Sequence, residues 1–132
     1  MAQNRQASRE RIETAKIGFI TNRLNLTSEQ ASTFWPVYNA YEDKKQQIRQ
    51  SLRKLKSANT ALTAPDDALM NNLKELMSLK QQEVDLEKEY LTKFLKVINP
   101  RQLTELYKTE QDFREELLKT LRERRTSPRN PN

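Results

Sequence analysis

A helix start is written twice in this chain. LNLTSEQASTFWPVY runs from Leu24 to Tyr38, and a reduced copy, VINPRQLTELY, runs from Val97 to Tyr107. In the first copy Thr27 and Gln30 fit a capping box. The Thr27 hydroxyl would accept from the backbone N–H of Gln30, and the Gln30 side chain would reach back to the N–H of Thr27. Leu26, just outside, can staple against Ala31. In the second copy Asn99 is the cap, Pro100 takes the first helical position, Gln102 is the return partner, and Ile98 staples against Leu103. The copies align at one constant offset, which pairs Leu26 with Ile98, Phe34 with Leu106, Trp35 with Tyr107 and Tyr41 with Phe113. Every matched position has a structural task, and each box stabilises its helix start by roughly 1 kcal/mol. The punctuation predicts two sharp helix-to-helix corners and no chemistry.

One Gly and five Pro in 132 residues leave few places to turn. Leu, Lys, Glu, Gln and Arg dominate, the composition of long helices, so the expected fold class is all-α. Hydrophobic residues make up 35% and charged residues 32%, which predicts a thin core. A thin core on long helices points to a second chain that completes the burial. Cys and His are both absent. That removes disulfides, thiol catalysis, the usual zinc ligands and the usual general base. No cofactor or metal is expected. No stretch is apolar enough for a transmembrane span. The opening MAQNRQ reads as an added Met ahead of a mature start, so the missing signal peptide is no argument for the cytoplasm.

Four helical segments follow from the periodicity. The first covers about residues 6–23, with Ile12, Ala15, Phe19 and Ile20 on one face and Gly18 inside, as a close contact or a neutral site. The second covers 28–58. Phe34, Tyr38, Tyr41, Ile48, Leu52 and Leu55 form a heptad seam, with Lys45 as its one polar interruption. Pro36 predicts a kink there, or a short helix from Ser28 to Phe34 joined at an angle. A loop spans Asn59 to Asp67, with Thr63 or Ala64 as the next cap and Pro65 in the first turn. The third segment covers about 66–97. Its stripe opens with Leu69, Leu73, Leu76 and Met77, passes Val84, and closes with Leu91, Phe94, Leu95 and Ile98. Lys80 and Glu87 interrupt its middle. The fourth covers about 100–124 with Leu103, Leu106, Phe113, Leu117 and Leu121. The expected organisation is one helical domain over 1–125 and a disordered tail over 126–132.

Phe34, Trp35, Tyr38, Tyr41, Tyr107 and Phe113 read as an aromatic core, although Trp35, Tyr38 and Tyr41 could instead offer a binding platform. Met70 and Met77 read as core filling, with an adaptable client surface as the alternative. The net charge is +6, which favours acidic partners, yet acidic residues are interspersed throughout. The basic run Lys44, Lys45, Arg49, Arg53, Lys54 and Lys56 stands out. Lys45, Arg49, Arg53 and Lys56 form a candidate client-binding face, against the alternative of an ordinary solvated helix surface. Asp66/Asp67 and Glu115/Glu116 are adjacent pairs that point in different directions, and no phosphate loop, nucleophile elbow or ligand spacing exists. An enzyme is not expected. No dense basic stripe or recognition helix supports nucleic-acid binding.

The pair Leu26-Thr27-x-x-Gln30 and Ile98-Asn99-x-x-Gln102 resembles the two LTxxQ motifs of the Spy/CpxP family. FWPVYNAYEDK and YKTEQDFREELL look like the branch labelled sensor of an ECF-type sigma factor. The resemblance covers about Ile12 to Leu121. It implies an elongated four-helix α-hairpin arrangement that pairs antiparallel into a cradle-shaped homodimer in the Gram-negative periplasm. It implies ATP-independent chaperoning of unfolded or stress-damaged envelope proteins. The alternative is a regulatory adaptor for one signalling partner, a sensor or anti-sigma protein. Metal-responsive relatives use His or Cys ligands, which this chain lacks, so metal sensing is not carried over.

Overall fold

The fold is that of a computed structural model, which describes residues 2–58 and 62–126. Among the described residues there are four α-helices and no strand: α1 (Ala2–Leu24), α2 (Ser28–Ala58), α3 (Asp66–Leu95) and α4 (Pro100–Thr126). The all-α expectation holds. The expected tail lies outside the described residues beyond Thr126, which closes α4.

The chain divides into two compact units. One joins its two ends, Met1–Ser28 and Asn99–Asn132; the other is the middle stretch, Glu29–Ile98. In the first unit α1 packs on α4. Ile20 and Leu24 are buried there with Leu103, Leu106 and Thr109. Ion pairs run alongside, from Lys16 to Glu110 at 3.9 Å and from Arg23 to Glu105 and Asp112 at 3.8 Å each. The Arg23 pairs are open to water and add little stability, whereas Lys16 and Glu110 are half-buried. The face expected for α1 is only half used. Ile20 is buried and Phe19 half-buried, but Ile12 and Ala15 are exposed. Gly18 faces open space, so the neutral reading of it is the right one.

α1 stops at Asn25, whose φ of 50° is left-handed. Its N–H donates to the Thr21 carbonyl at 3.1 Å. Asn adopts this conformation at lower cost than most side chains, so it ends a helix where Gly otherwise would.

In the second unit α2 and α3 run antiparallel, since Phe34 near the start of α2 meets Phe94 near the end of α3 (5.8 Å between centroids). The α2 seam is as expected. Phe34, Tyr38, Tyr41, Lys45 and Leu55 are buried, and Ile48 and Leu52 half-buried. Of the two outcomes expected at Pro36, a kink or a separate short helix, the separate helix does not occur: α2 is one helix from Ser28 to Ala58. Phe34, Trp35 and Tyr38 pack ring against ring around the proline, at 4.9, 5.6 and 5.4 Å, and hold its turn in place. Pro36 and Ser32 are exposed. Water therefore reaches the carbonyl that loses its partner.

The α3 cap also differs. Pro65, with φ −59° and ψ 150°, occupies the cap position in place of Thr63 or Ala64 and makes no side-chain cap bond. Its carbonyl accepts from Leu69 N–H at 3.1 Å. Asp66 and Asp67 then complement the helix start.

Candidate functional site

The second helix start is a complete capping box. Asn99 N–H donates to Gln102 Oε1 at 3.1 Å, and Gln102 N–H donates to Asn99 Oδ1 at 2.8 Å. Ile98 and Leu103 are both buried beside it. Gln102 does one thing more. Its Nε2 donates to the Leu24 carbonyl at 3.3 Å, across 78 residues of sequence. That carbonyl belongs to the last turn of α1, where helix acceptors lack partners. The glutamine thus caps its own helix and ties it to the end of α1. At the first start, Leu26 and Gln30 are half-buried and Thr27 exposed, and Thr27 and Gln30 each engage a partner. These motif positions build structure and hold no reacting group.

The aromatic residues separate. Phe34, Tyr38 and Tyr41 are core, and Tyr41 reaches Tyr90 at 5.2 Å and Phe94 at 5.6 Å. Trp35 is half-buried. In the other unit Phe113 is half-buried against Phe19 at 5.9 Å. Tyr107 is a correction: it is 43% exposed and outside the core. It follows Leu106, which occupies the buried face of α4, and one helical step carries a side chain about a quarter turn away. Beside Phe113 a groove of about 240 Å³ opens between α1 and α4, lined by Arg11, Ile12, Ala15, Leu117 and Thr120.

Lys45 is a second correction. It does not belong to an exposed basic face, because it is 8% exposed within the α2 seam. Its Nζ lies 3.9 Å from Glu42 Oε1 and 5.4 Å from the Tyr41 ring centre. Its aliphatic stem fills a core position while the ammonium finds a carboxylate and a ring. Arg49 is half-buried, and Arg53 and Lys56 are exposed. Among the described residues no ion pair engages any of these three. From Lys44 to Pro65 the chain carries no acidic residue. Arg49, Arg53 and Lys56 therefore stand in a stretch of α2 with no acidic residue of its own.

The buried stripe of α3 is the expected one only in part: Leu69, Leu76 and Phe94 belong to it, while Leu73, Met77, Val84, Leu91 and Leu95 do not. Leu79, Leu86, Tyr90 and Phe94 are buried, and Leu69, Asn72, Leu76 and Glu83 half-buried. This seam accepts Asn72 and Glu83 and turns the stripe that carries Met70, Leu73 and Met77 outward. Met70 is 54% exposed and Met77 56%, so both leave the core. Leu73, Val84, Leu91 and Leu95 are exposed with them. Arg49, Arg53 and Lys56 each follow a seam residue of α2; Met70, Leu73 and Met77 each follow a seam position of α3. In an antiparallel pair, positions just after the seam on both helices flank it on the same side. The unpaired cations and the uncovered apolar residues therefore share one side of the α2–α3 hairpin.

Residues 12–110 match the model of a family described as LTXXQ motif family protein. The chain belongs to the LTXXQ motif family. The match spans both helix starts and the whole α2–α3 hairpin. No curated protein and no solved structure matches this LTXXQ protein. No helix among its described residues is long and apolar enough to cross a membrane. Nor do they hold a cluster of acidic, His or Cys side chains able to bind a metal ion.

Proposed function

We propose that this LTXXQ protein is a periplasmic, ATP-independent, chaperone-like stress protein that captures unfolded or aggregating envelope proteins. Membership of the Spy/CpxP-like family supports the compartment and the stress role. One observation carries the binding mechanism: among the described residues Arg49, Arg53 and Lys56 have no ion-pair partner, and they share one side of the α2–α3 hairpin with exposed Met70, Leu73 and Met77. The cations attract acidic stretches over about a Debye length, near 10 Å at moderate salt, and raise the encounter rate. The apolar residues then hold exposed client side chains weakly, without a closed pocket that would force collapse. Nothing in this action requires bond chemistry, and the protein is proposed as a non-enzyme. Pairing of two copies is part of the proposal. A second chain would cover apolar residues that one copy leaves out, such as Ile12, Ile17, Leu118 and Leu121.

The test is light scattering from a denatured client diluted with and without the protein, at low and high salt. Suppression that weakens with salt is the expected result. No suppression at several-fold molar excess would sink the chaperone reading. Recovery of one stoichiometric envelope partner in that case would establish the adaptor role instead.

A further inference from the structure

Met70 and Met77 are the only methionines after Met1, and the chain has no Cys. Thioethers are therefore the only sulfur that a two-electron oxidant can meet here. The two residues lie seven apart on α3, two turns along the same face, and both are more than half exposed. They belong to the apolar half of the binding side, with Leu73 between them. We propose that Met70 and Met77 are an oxidation site that regulates this surface, an inference that rests on the binding role above.

The co-reactant is a small two-electron oxidant of the hypochlorous acid or peroxide class. With hypochlorous acid, each thioether sulfur gains one oxygen and loses two electrons. The O–Cl bond breaks, chlorine leaves as chloride, and the proton passes to water. The product, methionine sulfoxide, is polar where the thioether was apolar. The step leaves Arg49, Arg53 and Lys56 charged. Oxidation weakens the apolar hold on a client and spares the electrostatic capture. Losing two thioether contacts corresponds to a binding loss of roughly ten-fold.

The experiment treats the full chain with a small molar excess of hypochlorite and maps oxygen uptake by peptide mass. It then measures the concentration that half-suppresses client aggregation. The Met70→Leu/Met77→Leu variant, similar in size and apolar character, is treated in parallel, and a sample of the oxidised protein is incubated with methionine sulfoxide reductases. The expected result has four parts: one oxygen on each methionine, an increase of roughly ten-fold in the half-effective concentration, recovery after reductase, and a leucine variant whose own half-effective concentration, whatever its untreated value, is not raised by hypochlorite. Failure of either methionine to oxidise at doses that convert free N-acetylmethionine would overturn the proposal. So would full oxidation with unchanged suppression, or an equal loss in the leucine variant. Absence of suppression by the untreated protein is a separate outcome; it would remove the binding role and this regulation together.

Discussion

At the scale of single residues, Thr109 is the clearest cost the fold accepts. Its side chain is fully buried between α1 and α4, and Oγ1 has no hydrogen-bond partner among the described residues. The exposed helical threonines Thr21, Thr104 and Thr120 all donate to a carbonyl one turn back. Thr109 does not, so it carries the desolvation penalty of a hydroxyl with no bond in return. Thr109→Val keeps the shape and removes the polar atom. It is expected to raise the urea midpoint, by about 1 kcal/mol in unfolding free energy. A lower midpoint would mean that the hydroxyl has a partner in solution. Lys45 is the opposite case, a polar atom whose burial is compensated. Its position in the seam was legible from the heptad spacing, but its charge suggested a place on the surface. The seam decided, because four methylenes can fill a core position while one ammonium turns to Glu42.

At the scale of elements, Gln102 and the two faces of α3 matter most. The local half of the Gln102 role was legible, since a capping box is a rule about residues three apart. The bond to Leu24 was not, because nothing in the local sequence says which helix end lies nearby. The two halves can be separated. Gln102→Glu keeps the acceptor for Asn99 N–H but replaces the donor to Leu24 with a carboxylate facing a carbonyl. The variant is expected to lose about 1 kcal/mol of stability in urea unfolding, although Glu suits a capping box as well as Gln does. Unchanged stability would show that the tie to α1 contributes nothing. For α3, two apolar stripes of similar content run one residue apart, and the periodicity could not say which of them faces α2. The structure buries much of the one with Asn72 and Glu83 inside it, and leaves Met70, Leu73 and Met77 in solvent. With one stripe committed to the hairpin, the other, with Met70, Leu73 and Met77, is left available for a partner.

At the scale of the whole molecule, the net charge of +6 is less informative than its distribution. Arg23 and Lys16 are matched by carboxylates across the α1–α4 pair, whereas Arg49, Arg53 and Lys56 are not matched among the described residues. The triple change Arg49→Glu/Arg53→Glu/Lys56→Glu is expected to weaken client capture roughly ten-fold at low salt, with the difference shrinking as salt rises. Lys45→Ala is expected to do the reverse, costing about 1–2 kcal/mol of stability and leaving the salt dependence of capture intact. Light scattering reads the first and urea unfolding the second. Equal capture by the triple variant would remove the electrostatic step from the mechanism.

By itself, the amino-acid sequence determined that the protein is helical, where α2 and α4 begin, and which residues of α2 form its seam. Those properties depend on interactions within a few residues: caps, breakers, propensity and the 3.6-residue repeat. The tertiary structure alone decided that α2 runs unbroken through Pro36, that α3 presents Met70 and Met77 outward, that Lys45 is core, and that Gln102 reaches Leu24. The face of α3 and the reach of Gln102 depend on what lies opposite a helix, supplied by residues tens of positions away along the chain; at Pro36 and Lys45 it is ring and charge packing within α2 that decides, which local propensity does not fix.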